Sequence, residues 1–218
     1  MAKYLKLIAV LLLITAGVVG AKAAQTRHAA EAGAPAAIVR NGESRPDPHT
    51  PALHIGGPFT LTNQNGETVT DQTYRGKYML VFFGFTFCPD ICPTGLQTAL
   101  NAIDVAGDVA KKQVQPIFIT VDPARDTPEK LKDYVRMFGP TLTGLTGTPA
   151  QIAAVARAYK VYYARTQGED SGGDDYMMDH SGFLYLMGPD GRFIKSFAAE
   201  TTMDELAEQL KTLVSRNP

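Results

Sequence analysis

Tyr78-Met79-Leu80-Val81-Phe82-Phe83-Gly84-Phe85-Thr86-Phe87-Cys88-Pro89-Asp90-Ile91-Cys92-Pro93 passes from a charge-free, largely apolar run into a short segment holding the chain's only two cysteines. A continuous apolar run of this length reads as a strand buried on both faces. Helical signals begin at Ile91 and extend to about Lys112. Cys92 then falls on the first helical turn and Cys88 on the strand-to-helix loop, close enough to bond one metal ion or each other. Unpaired N–H groups and the positive end of the helix dipole gather there, so the pattern predicts two sulfurs biased toward thiolate, good both as ligands and as nucleophiles.

Outward from this stretch the chain alternates. A strand is expected over Val114–Val121, then a helix to about Phe138 opened by Thr127 as cap, Pro128 at the first position and Glu129 in the first turn. Thr148 caps a further helix, Pro149–Tyr159. A polar, glycine-bearing loop, Gln167–Asp175, leads to a strand Phe183–Met187, the turn Gly188-Pro189-Asp190-Gly191, a strand Phe193–Phe197 and a last helix, Met203–Val214. Upstream, Gly57–Leu61 and Glu67–Thr70 flank Asn65-Gly66, a strong hairpin-turn signal. Strands alternating with helices and ending in an antiparallel hairpin predict an α/β, thioredoxin-like fold: a central mixed sheet with flanking helices and an N-terminal hairpin extension. In such open sheets chemistry gathers at the C-terminal ends of the strands.

With 218 residues, 44% hydrophobic and 20% charged, the chain suits one substantial domain, placed at 53–218, with appendages. A formal net charge of -1 with scattered basic residues gives no footprint for a nucleic-acid partner. Leu7–Ala21 is uncharged and mostly aliphatic, with Lys3 and Lys6 before it and Lys22 after it, the layout of an export segment. Residues 1–22 read either as a cleaved signal peptide, with Ala21-Lys22-Ala23 as the cleavage site, or as a membrane anchor, short against the roughly 20 residues a span requires. Residues 23–52, rich in Ala, Pro and Gly without a sustained period, read as a flexible tether, and a tether favours the anchor. The domain is expected outside the cytoplasm.

His180, in Met177-Met178-Asp179-His180-Ser181, precedes the strand Phe183–Met187. In a thioredoxin-like arrangement that loop lies against the cysteine loop, which makes Cys88, Cys92 and His180 a candidate triad. Two soft thiolates and an imidazole match a trigonal Cu(I) site, whereas structural zinc normally takes a fourth Cys or His. Cu(II) would want one more donor, for which Asp122, Asp179 or water are candidates. A disulfide is the plainer role for the cysteine pair, but so small a loop constrains the unfolded chain little. Asp122 and Arg125, in Asp122-Pro123-Ala124-Arg125-Asp126-Thr127-Pro128-Glu129, read as turn chemistry with an ion pair that shapes the loop, and Asp122 also as a residue behind the ligands. Met177 and Met178 are expected to pack, and His28, His49 and His54 to be solvated.

Several segments together resemble the Sco/SenC family of copper chaperones. They are Gly56-Gly57-Pro58-Phe59-Thr60-Leu61, Phe83 to Pro93, Val121 to Pro128, Val161-Tyr162-Tyr163 and Asp175 to Ser181. The resemblance covers nearly everything from Gly56 onward. It implies copper, Cu(I) or Cu(II), held by Cys88, Cys92 and His180, a thioredoxin-like domain anchored to the inner membrane facing the periplasm, and delivery to the binuclear copper centre of cytochrome c oxidase subunit II. The implied partners are that subunit, a copper donor protein, a thiol reductant and the membrane through the N-terminal segment. A rival reading is an enzyme, a thiol-disulfide oxidoreductase that reduces the oxidase cysteines. The three residues between the cysteines, and His180 where thioredoxin-like oxidoreductases carry a proline, favour metal binding. A thiol peroxidase is weaker, because no Thr-x-x-Cys motif precedes Cys88.

Overall fold

The computed structural model describes residues 54–167 and 176–215. The expected anchor or signal segment 1–22, the tether 23–52 and residues 168–175 of the glycine-bearing loop lie outside the described residues. Among the described residues no helix is long and apolar enough to cross a membrane.

The strands are β1 (Thr60–Asn63), β2 (Thr68–Thr70), β3 (Tyr78–Gly84), β4 (Val114–Thr120), β5 (Thr143–Thr146), β6 (Tyr163–Gln167), β7 (Tyr176–His180), β8 (Leu184–Met187) and β9 (Phe193–Phe197). The helices are α1 (Ile91–Ala106), α2 (Asp108–Gln113), α3 (Pro128–Arg136), α4 (Pro149–Ala158) and α5 (Met203–Ser215), with a 3-10 turn at Asp71–Tyr74. Seven strands form one sheet in the order β2-β1-β5-β4-β3-β8-β9, and β6 pairs with β7 in a separate two-stranded ribbon. β3 is parallel to β4 and β4 to β5, while β8 lies antiparallel to β3, so the sheet is mixed, as the alternation predicts.

All seven residues of β3 are buried, as expected of a charge-free run covered on both faces. α1 packs on α5, α3 lies on β5 and α4 on β1. Thr127 and Thr148 cap α3 and α4 by accepting the backbone N–H of Lys130 and Gln151, with proline opening each helix. The expected hairpin is β1–β2, its turn closed by the Asn63 side-chain oxygen accepting from the N–H groups of Asn65 and Glu67 at 2.9 and 3.0 Å. β1 also pairs with β5, so the hairpin extends the main sheet.

Three elements differ from expectation. The single helix over Ile91–Lys112 is two, because Gly107 adopts φ 98° and ψ −175° between α1 and α2. β5 was not expected; it is only four residues, Thr-Gly-Leu-Thr, and Gly144 leaves room for Val135 and Leu131 of α3 against its backbone. The third is the β6–β7 ribbon, which turns the expected His180 loop into a strand end.

The described chain enters beside the start of β3. Gly56 donates its N–H to the Ala158 carbonyl at 2.9 Å and lies against Met187, which pairs with Met79, while Gly76 donates to the Pro189 carbonyl in the β8–β9 turn. Cys88 lies past the other end of β3, a strand length of roughly 20 Å away.

Candidate metal centre

The first turn of α1 tolerates Pro93 because its missing N–H would have had no partner inside the helix. Cys92, on that turn, has no solvent exposure, whereas Cys88, on the preceding loop, is partly exposed. Both are free thiols. The backbone N–H of Cys92 donates to Cys88 Sγ at 3.4 Å, so the helix end serves the outer sulfur.

The inner sulfur departs from expectation. Burial pushes the Cys92 thiol well above its ordinary range, with the neighbouring Cys88 and Asp126 adding to the rise. Desolvation outweighs the helix end, and without metal Cys92 keeps its proton. Gly84 is what lets it sit there: a Cβ on Gly84 would stand 2.8 Å from Cys92 Sγ and 2.9 Å from the Phe118 ring.

His180, at the end of β7, places Nε2 3.4 Å from Cys92 Sγ. Its Nδ1 lies 3.2 Å from the Ser181 carbonyl, which only accepts, so Nδ1 carries the ring proton and Nε2 turns its lone pair to the sulfur. Burial lowers the His180 pKa, against smaller opposing effects of the Ser181 carbonyl and Asp179, which keeps the ring neutral. The rings of Phe82 and Phe85 stand nearly perpendicular to the imidazole at centroid distances of 6.2 and 5.9 Å. The contact is therefore a thiol donating to an imidazole, and a soft cation replacing that proton would find a ligand on each side.

Cys88, Cys92 and His180 are thus brought into one neighbourhood, but not into a finished coordination shell: among the described residues no three His, Cys, Asp or Glu side chains already converge as a metal site. Cys88 is the nearer of the two sulfurs to solvent, and its Sγ already touches the Cys92 backbone N–H. Cys88 and His180 line an open cleft of ≈ 410 Å³ with Met177, Met178 and Asp179. Met178 packs partly against the core as expected, whereas Met177 is 45% exposed.

Asp122 is not free to serve as an extra donor. One oxygen pairs with Arg125 and the other accepts the Tyr176 hydroxyl at 2.7 Å, so the ion-pair reading holds and direct ligation does not. Asp179, on the exposed side of β7, keeps that possibility. Sequence reasoning missed Asp126, which is fully buried and accepts from Thr86 N–H at 3.0 Å, Thr86 Oγ1 at 2.6 Å and Thr120 Oγ1 at 2.5 Å, fixing the strand end that leads to Cys88. It also missed Tyr176. Neither has a strong local signal, since Thr86 lies forty residues from Asp126 and Asp122 more than fifty from Tyr176. His54 is exposed, and His28 and His49 lie outside the described residues.

The family model described as SCO1/SenC matches residues 47–215. "Protein sco1" of Schizosaccharomyces pombe is 43% identical over 156 residues, covering 72% of this chain and 59% of that protein. The chain spans about half the length of the curated relatives it matches. The crystal structure of Arabidopsis thaliana ScoI with copper bound superposes with a TM-score of 0.68 at 42% identity, over 74% of this chain and 99% of that one. BsSco, described as having a disulfide switch and as a member of the Sco family of cytochrome c oxidase assembly proteins, matches with a TM-score of 0.56 at 26% identity, over 75% and 95% of the two chains. The thioredoxin-like fold is shared throughout.

Proposed function

We propose that this chain, which belongs to the SCO1/SenC family, is a copper carrier in cytochrome c oxidase assembly, holding the metal through Cys88, Cys92 and His180 and delivering it to the binuclear copper centre of subunit II. The observation that carries the reading is the Cys92 Sγ to His180 Nε2 approach of 3.4 Å, four residues from a second free thiol that lines an open cleft with His180. The copper bound in the Arabidopsis relative and the oxidase-assembly role of BsSco's family support it. Loading begins at Cys88, the accessible sulfur. As Cys92 gives up its proton the metal moves inward, and the His180 lone pair, already aimed at it, completes a three-donor set. Two thiolates with Cu(I) leave one negative charge, while Cu(II) leaves none and takes Asp179 or water. Delivery is ligand exchange, in which an incoming thiol bonds the metal before Cys88 lets go. The chain works outside the cytoplasm, held by its N-terminal segment, with a copper donor upstream and a thiol reductant keeping the cysteines open.

The test is copper stoichiometry and ligand set by X-ray absorption on the reduced protein. Wild type is expected to hold one copper on two sulfurs and one nitrogen. Cys88→Ser or Cys92→Ser abolishes tight binding, and His180→Ala weakens Cu(II) more than Cu(I). One tightly bound copper in the double Cys→Ser variant sinks the assignment. A second reading, thiol-disulfide reductase, has its own observation, a partly exposed thiol paired with a buried one. It predicts oxidase activity in a His180→Ala strain and none in a Cys88→Ser strain under copper limitation, whereas the carrier reading loses both.

A further inference from the structure

His180 closes a two-stranded ribbon that makes no ladder with the main sheet. Such a ribbon is marginal alone, so its last residue stands where its ties put it. At the His180 end the ties are Ser181 N–H to the Tyr162 carbonyl at 2.9 Å, Tyr162 N–H to Ser181 Oγ at 3.1 Å, the 3.4 Å contact of His180 with Cys92 Sγ and two perpendicular phenylalanine rings. The firmer tie is at the other end of β7. Tyr176 there donates its hydroxyl to Asp122 and accepts, on its carbonyl, Arg125 Nη1 at 2.9 Å. The guanidinium carbons of Arg125 and of Arg165 on β6 each lie 3.6 Å from the Tyr176 ring centroid. Two guanidiniums that close cannot share a face, so the ring is clasped on both. Arg125 also lies 4.5 Å from the ring of Phe87, the residue before Cys88, and pairs with Asp122, which is 3% exposed just past the end of β4. One side chain thus touches both the root of the ribbon that ends in His180 and the loop that carries Cys88.

We propose that Tyr176 is a positioning residue: with Arg125 and Asp122 it sets the angle of the ribbon against the cysteine loop and hence the separation of His180 Nε2 from Cys92 Sγ. Tyr176 and His180 are four residues apart on one strand, about 13 Å at the usual rise, and alternation puts them on the same face. The strand acts as an arm whose root is gripped and whose tip carries the imidazole. Charge-assisted bonds to a buried carboxylate and stacking on both ring faces make that grip stiff. The consequence for metal rests on the copper reading above; the mechanical part does not.

The test compares Tyr176→Phe, which removes one hydroxyl and keeps the stacked ring, and Arg125→Lys, which keeps the charge and loses the fork, with the reduced full chain. Without copper, amide hydrogen exchange at residues 177–180 is expected to rise about tenfold in Tyr176→Phe. With copper, Cu(II) affinity is expected to fall about tenfold, the lower bound for residues that orient metal ligands, with a shifted thiolate-to-Cu(II) absorption band and a smaller change for Cu(I). Arg125→Lys is expected to shift the same band. Unchanged exchange, or raised exchange with an unchanged Cu(II) band and affinity, overturns the inference, as does a lowered melting temperature alone. If the wild type binds no copper while the variant still shows raised exchange, the copper reading fails and the mechanical clamp stands.

Discussion

The Asp126 carboxyl is inside the protein, held by the Thr86 amide and by the hydroxyls of Thr86 and Thr120. Burial raises its pKa, and the bonds from Thr120 and Thr86 only partly offset that rise. A group whose folded pKa lies above its unfolded value, about 3.9 for an aspartate, contributes stability that is fully present below that value. The contribution is lost as pH climbs through the folded pKa. The unfolding free energy read by urea titration is therefore expected to decline as pH rises from about 4, with a slope of at most about 1.4 kcal/mol per pH unit for one proton. Asp126→Asn, which keeps an acceptor for Thr86 and cannot ionise, should flatten that decline. Equal slopes in the two proteins would place the effect elsewhere. At this scale much was legible: Cys88 and Cys92 announce themselves as the only sulfhydryls, at a strand-to-helix loop. The protonation of Cys92 was not, because the helix end is visible in the sequence while the desolvation supplied by Gly84, Phe118 and the sheet above it is not.

Among elements, the break between α1 and α2 depends on one residue. Gly107, at φ 98° and ψ −175°, occupies a region that side-chain-bearing residues reach only under strain. Nothing lies within 4 Å of the position its Cβ would take, so the cost of Gly107→Ala is purely backbone. That substitution should lower unfolding free energy by about 1–3 kcal/mol, read by urea titration, while copper stoichiometry stays at the wild-type value. If the variant were as stable as wild type, the strain argument would fail. The helix was readable because its apolar pattern runs on past Gly107, and the same continuity concealed the interruption. β3 was readable because a long charge-free run has few other uses. β6 and β7 were not, since Tyr163-Ala164-Arg165-Thr166 and Tyr176-Met177-Met178-Asp179 show little alternation and their pairing spans residues 168–175. The ribbon is tied to the rest of the domain at Tyr176 by Asp122 and Arg125, a contact across more than fifty positions.

For the molecule as a whole, a ligand that binds only the folded state adds stability in proportion to the logarithm of its excess. At a thousandfold excess over Kd that is about 4 kcal/mol, and for a domain of this size each kcal/mol moves the melting temperature by about 2–4 °C. Calorimetry of the reduced protein should therefore show copper raising the melting temperature by roughly 10 °C at neutral pH. The increment should shrink on acidification, because protons compete for both sulfurs and for the His180 lone pair. Identical scans with and without copper at neutral pH would contradict the carrier reading. The placement of the two ends of β3 carries a different kind of consequence. The backbone arrives at Gly56 beside the Met79 end, while the cleft opens past Gly84 at the far end. A small label coupled at His54 itself therefore sits at the end of β3 opposite Cys88, and the mouth of the cleft stays clear of it.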